Sequence, residues 1–145
     1  LAICHEELDN FKATERHLKA YLKMDPNDPD VLNFLGYLYA EKGVKLNEAE
    51  ALIEKALESE PESPFYMDSL GWVYYHQKKY DEALDLIQRA IYNMPSDDAV
   101  LRDHLGDIYR AKGNKKRAVK EWRRALRLDA EIEGVREKLE AVGAV

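Results

Sequence analysis

Leu35-Gly36, Leu70-Gly71 and Leu105-Gly106 stand 35 residues apart, and this spacing restricts the fold of the 145-residue chain more than any other feature. Each pair opens a similar phrase: Leu35-Gly36-Tyr37-Leu38-Tyr39, Leu70-Gly71-Trp72-Val73-Tyr74 and Leu105-Gly106-Asp107-Ile108-Tyr109. A second register follows each phrase. It runs through Ala49, Ala83 and Ala118, then Ile53, Ile87 and Trp122, then Ala56, Ala90 and Ala125. Pro61 and Pro95 close two units, and Pro26 closes a partial first one. A repeat of this size cannot bury its apolar face alone, so it implies units stacked one on the next.

Within a unit the apolar residues recur at helical spacing, as in Leu32, Leu35 and Tyr39 or Leu84, Ile87 and Ile91. Asp28-Pro29 and Ser63-Pro64 each combine a capping side chain with a proline suited to a first helical turn. Gly43 and Gly113-Asn114 fall where the first helix of a pair must stop and turn. No alternating pattern extends beyond a few residues, so the chain is expected to be all-α. Gly36, Gly71 and Gly106 then allow two paired helices to approach closely, with Ala49, Ala83 and Ala118 opposite them.

These residues match the tetratricopeptide pattern, and the chain resembles that family over nearly its whole length. The resemblance implies a right-handed superhelical solenoid of antiparallel helix pairs. We divide it into a partial repeat (1–28), three repeats (29–63, 64–98 and 99–130) and a capping helix (131–145). Leu1, Ala2, His5, Thr14, Leu18, Tyr21 and Pro26 supply the end of the first unit, with His5 at a tyrosine position and expected to be packed. Ala130 stands where a closing proline is usual. Extra residues near Val44-Lys45 and in Ser96-Asp97-Asp98 fall in turns, where insertion leaves the register intact. Glu131–Val142 is expected to form the final helix, through Ile132, Val135, Leu139 and Val142. The opening Leu1-Ala2-Ile3-Cys4 lies within a helical pattern, and suggests a piece of a longer array with an open N-terminal end.

Nothing in the sequence points to catalysis. The histidines His5, His17, His76 and His104 form no i, i+4 pair, and HExxH, GxSxG and phosphate-loop motifs are absent. Cys4 is the single cysteine, so no intramolecular disulfide is available. We expect no cofactor and no metal. No apolar run reaches membrane-spanning length. A net charge of −6 argues against a general nucleic-acid binder. That charge is uneven: residues 99–145 hold 12 basic and 8 acidic side chains. Lys112, Lys115, Lys116, Arg117, Lys120, Arg123, Arg124 and Arg127 could draw an acidic partner or an anionic lipid surface, or simply solubilise an outer face. Glu48, Glu50, Glu54, Glu58, Glu60 and Glu62 read as a solvated face.

The resemblance further implies that the first helix of each pair lines a concave groove. Its inner positions read Asn33, Tyr37 and Ala40, then Asp68, Trp72, Tyr75 and His76, then Asp103, Asp107 and Arg110. Trp72 and Tyr75 lie outside the repeat's core positions and are expected to offer exposed aromatic area to a protein or peptide partner. The aspartates would favour a basic or polar segment, and disfavour the clamp for a terminal carboxylate that some arrays carry. Leu35–Pro61, Asp68–Tyr75 and His104-Leu105-Gly106-Asp107 also resemble the C-terminal repeats of bacterial envelope proteins of this family. That likeness implies an extracytoplasmic adaptor. The expected function is therefore a protein-interaction scaffold. The alternatives are an array segment that self-associates through its open end, or the docking arm of an enzyme elsewhere in the parent chain.

Overall fold

The computed structural model describes residues 2–144, the side chains of 2–4 excepted. Among them it contains eight α-helices, α1 (Ala2–Met24), α2 (Pro29–Lys42), α3 (Leu46–Ser59), α4 (Pro64–His76), α5 (Tyr80–Asn93), α6 (Ala99–Ala111), α7 (Lys115–Leu128) and α8 (Val135–Ala141). No strand occurs among the described residues. The caps fall where the sequence places them. Asp28 accepts from the backbone amides of Asp30 and Val31, and Ser63 from that of Tyr66, each with proline opening the helix behind it. Asp98 caps α6 through the amide of Leu101.

Gly43 ends α2 in the left-handed region at φ 66°, and Gly113 does the same after α6 at φ 84°. The pair α4–α5 has no glycine between its helices. Lys78 takes the left-handed conformation instead, at φ 65°.

Helices α2–α3, α4–α5 and α6–α7 form the tightest contacts, as antiparallel hairpins. The glycines make this approach possible. A Cβ on Gly36 would sit 2.5 Å from Ile53 Cγ1, one on Gly71 2.8 Å from Ile87 Cδ1, and one on Gly106 inside the Trp122 ring. Ala49, Ala83 and Ala118 are fully buried opposite them. Successive first helices touch, α2 on α4 and α4 on α6, whereas α3, α5 and α7 make their main contacts with first helices rather than with one another. The array therefore curves with α2, α4 and α6 on the inner face and α3, α5 and α7 outside.

Three sequence expectations are corrected. First, α1 is one unbroken helix rather than the end of a hairpin: residues 2–24 contain no glycine or proline to stop it. His5 is exposed there, not packed. Leu1, and the side chains of Ala2 and Cys4, lie outside the described residues. Second, the last helix begins at Val135 rather than near Glu131, because Gly134 at φ 82° holds the preceding backbone in a turn. Val135, Leu139 and Val142 are nevertheless buried, and Ile132 packs beside them. Third, Trp72 is not exposed, as described below.

Candidate partner-binding face

Inner-face residues of α2, α4 and α6 follow the 35-residue period, and the stacking of the helices brings equal positions side by side. Asn33, Asp68 and Asp103 form one row, and Tyr37, Trp72 and Asp107 another. Both rows continue at the C-terminal end, where Lys138 on α8 and Val142 just after it take the next places. This geometry converts a sequence period into a continuous polar and aromatic layer.

The layer is largely satisfied from within. Trp72 is only 8% exposed. Its indole stacks on His104 at 4.0 Å on one side, and pairs with Tyr75 at 4.7 Å with parallel planes. His76 meets the same indole edge-on at 4.9 Å. Trp72 Nε1 donates to Glu41 Oε1 at 2.9 Å, so both the polar and the apolar parts of the side chain are used. The expected exposed anchor is thus an internal strut joining α2, α4 and α6. Its burial follows from array curvature, which crowds the first helices together.

The aspartates are also engaged. Asp68 Oδ1 lies 2.7 Å from His104 Nδ1. Lys138 Nζ donates to Asp103 at 2.8 Å and to Asp107 at 2.9 Å, and Trp122 Nε1 donates to the other Asp107 oxygen at 3.1 Å. Burial pushes the Asp107 carboxyl up, with Lys138 pulling against it and Asp103 adding to the rise. Burial also lifts the Tyr37 phenol, helped by the Glu41 carboxylate. The acidic character expected of this face is therefore offset by Lys138 and His104. Lys138 escaped the sequence reading, although adding one more period to Asp103 reaches it directly.

What the layer leaves open is its edge. Arg110 is exposed, while Asn33, Tyr37, Asp68, Tyr75, His76 and Asp103 are partly accessible. The side-chain oxygen of Asn33 and Nε2 of His76 are buried without a hydrogen-bond partner. Where α4 and α6 begin, Tyr37, Pro64, Phe65, Asp68, Met94, Asp98, Val100 and Leu101 enclose a recess of about 270 Å³. Phe65 is 63% exposed and Val100 45%, and Phe34 on α2 is 55% exposed. None of these three was singled out from the sequence, because they fall outside the repeat pattern and resemble ordinary surface residues.

Among the described residues no group of three or more histidine, cysteine or carboxylate side chains converges as a metal site. No described helix is long and apolar enough to cross a membrane. Family models described as tetratricopeptide repeat match residues 2–64, 44–98 and 101–132. A TPR repeat-containing protein of Pseudomonas aeruginosa is 31% identical over 102 residues, which is 70% of this chain and 17% of that protein. The human interferon-induced protein with tetratricopeptide repeats 2 is 28% identical over 118 residues, covering 77% of this chain and 25% of its own length. The chain thus spans a quarter or less of these curated relatives. The crystal structure of MamA shares the fold, with a TM-score of 0.68 at 23% identity over 96% of this chain and 82% of that one.

Proposed function

The chain belongs to the tetratricopeptide repeat family, and we propose that it acts as a non-catalytic scaffold that takes a partner segment on its inner face. One observation carries this reading: Phe65 and Val100 are exposed at the recess between the starts of α4 and α6, with Phe34 exposed on α2. The core needs none of these three, and exposed apolar side chains at a recess, here Phe65 and Val100, beside polar groups are the usual mark of an interaction site.

The internal pairing of the layer refines what the partner offers. Asp68, Asp103 and Asp107 already have cationic or hydrogen-bonded partners, so a strongly basic segment gains little from them. An aliphatic or aromatic side chain fits the recess, with the Tyr37 and Asp68 polar groups at its rim to orient the neighbouring backbone. Trp72 contributes by holding α2, α4 and α6 in register rather than by touching the partner.

A random dodecapeptide display library, selected on the intact chain, tests this. Selected peptides are expected to carry a large apolar residue and to lose about tenfold or more in affinity on a Phe65→Ser/Val100→Asp variant of unchanged helicity. Peptides that bind the variant as tightly as the parent would place recognition elsewhere and sink the reading.

A further inference from the structure

The outer face changes sign along the array. Lys116 and Lys120 on α7 occupy the positions that Asp81 and Asp85 occupy one period earlier on α5, and all four are exposed. With Arg123 and Arg127, the two lysines form a single stripe at i, i+4, i+7 and i+11 on α7. These side chains and Val119 share one open surface of α7. Among the described residues Lys116, Lys120 and Arg127 join no ion pair, and Arg123 donates only to the Ala144 carbonyl at 2.8 Å.

Folding does not account for this stripe. The first turn of α7 carries no acidic residue, whereas α5 opens with Asp81 and Glu82. Cations at a helix start, here Lys116, oppose its dipole. Their mutual repulsion along i, i+4 adds to that. Lys116 opposes the dipole of its own helix, and neither it nor Lys120 or Arg127 pairs with anything among the described residues, so the stripe is arranged for something outside the molecule.

We propose that the outer stripe of α7 is a second docking site, and that it takes an acidic segment of a partner protein. Its shape selects a chain over a broad anionic surface. The stripe is one helix wide and roughly 16 Å long by the helical rise, and the next outer helix presents Asp81 and Asp85 at equal positions. Asp81 and Asp85 are already paired, with Lys112 and Arg89, so α5 adds no free cation to hold a bilayer or a duplex laid across both helices, while a narrow acidic segment runs along α7 alone. The apolar stems and the half-buried Val119 beside them favour a segment that mixes carboxylates with aliphatic side chains.

Fluorescence anisotropy with a labelled dodecapeptide of repeating Glu-Asp-Leu, at about 50 mM salt and then at about 200 mM, tests the proposal. The expected result is saturable binding that weakens with salt and falls about tenfold or more in Lys116→Gln/Lys120→Gln/Arg127→Gln. Those side chains hold no internal partner, so helicity should match the parent and the thermal midpoint should equal or exceed it, which confirms that the variant is folded. Equal binding by the variant, or no saturable binding to the parent, overturns the proposal. Phosphatidylserine vesicles or duplex DNA binding the parent more tightly than the peptide, with the same sensitivity to the three substitutions, also overturns it and gives the stripe to lipid or nucleic acid.

Discussion

His104 is buried between Asp68 and the Trp72 ring, and its proton is part of how the inner layer is held together. Burial alone would drive the imidazolium towards its neutral form. The Asp68 carboxylate at 2.7 Å outweighs that, with Asp103 and Asp107 behind it, so the pKa ends above its ordinary value. His76, on another edge of the same indole, shows the opposite balance: burial lowers it, and Glu41 only partly compensates. The signs then separate the two histidines. A raised His104 stabilises the fold fully below the unfolded value of about 6.5 and loses that contribution as pH rises through its higher folded value. A lowered His76 costs stability as pH falls below the same unfolded value. Thermal midpoints followed from about pH 6 to 9 should therefore decline on the alkaline side in the parent. His104→Gln keeps a donor for Asp68 without a titrating charge, and should flatten that decline whatever its absolute stability. Parallel profiles would mean that the His104 proton is not linked to folding.

Helices pair where small residues permit it, and the three hairpins differ in how firmly that condition binds. A methyl at Gly106 runs into the Trp122 ring, whose indole N–H is already committed to Asp107 at 3.1 Å. A methyl at Gly71 meets the far end of Ile87, which has other rotamers to adopt. Gly106→Ala should therefore lose about 1–3 kcal/mol in urea unfolding through overpacking. Gly71→Ala should lose clearly less, because alanine's better helix propensity returns about 0.5–1 kcal/mol. Equal losses would show that the ring yields as easily as the isoleucine. These contacts were readable in advance, since the Leu-Gly phrase and the buried alanines are steric requirements that any stacked hairpin must meet. The caps at Asp28 and Ser63 were readable for the same reason, whereas Asn114, read only as part of a stop, also caps α7. The inner layer was not. Whether Trp72 faces solvent depends on how sharply the first helices converge, and no single repeat encodes that curvature. Lys78 shows another limit: with no glycine available, the backbone still takes the left-handed turn because the hairpin demands it.

A stacked array is held together neighbour by neighbour, so its stability is distributed along its length rather than shared equally. Here α1 is the weakest join. It meets the rest through Phe11, Leu18 and Leu22 on the core, with Phe11 6.2 Å from Tyr39, through Lys19 near Glu48 at 3.9 Å, and through Glu15, which accepts from Tyr39 Oη at 2.5 Å and Lys45 Nζ at 2.7 Å. Lys45 belongs to the one-residue insertion between α2 and α3, and holds a left-handed backbone at φ 48°, a conformation a lysine seldom adopts. The insertion thus has a structural use: it brings a cation to Glu15 that an unextended turn would place elsewhere. The hydrogen bonds from Lys45 and then Tyr39 pull the Glu15 pKa down to about 2. Its lowered value means the tether is intact above the unfolded pKa of about 4.3 and fails only as pH falls towards 2. Native-state hydrogen exchange at neutral pH should show α1 amides opening first, at a free energy well below that of α4 to α7. Glu15→Gln should widen the gap by freeing α1 while leaving α6 and α7 unchanged. Exchange that speeds up equally in every helix of the variant would instead make the array one cooperative unit, with α1 fully part of it.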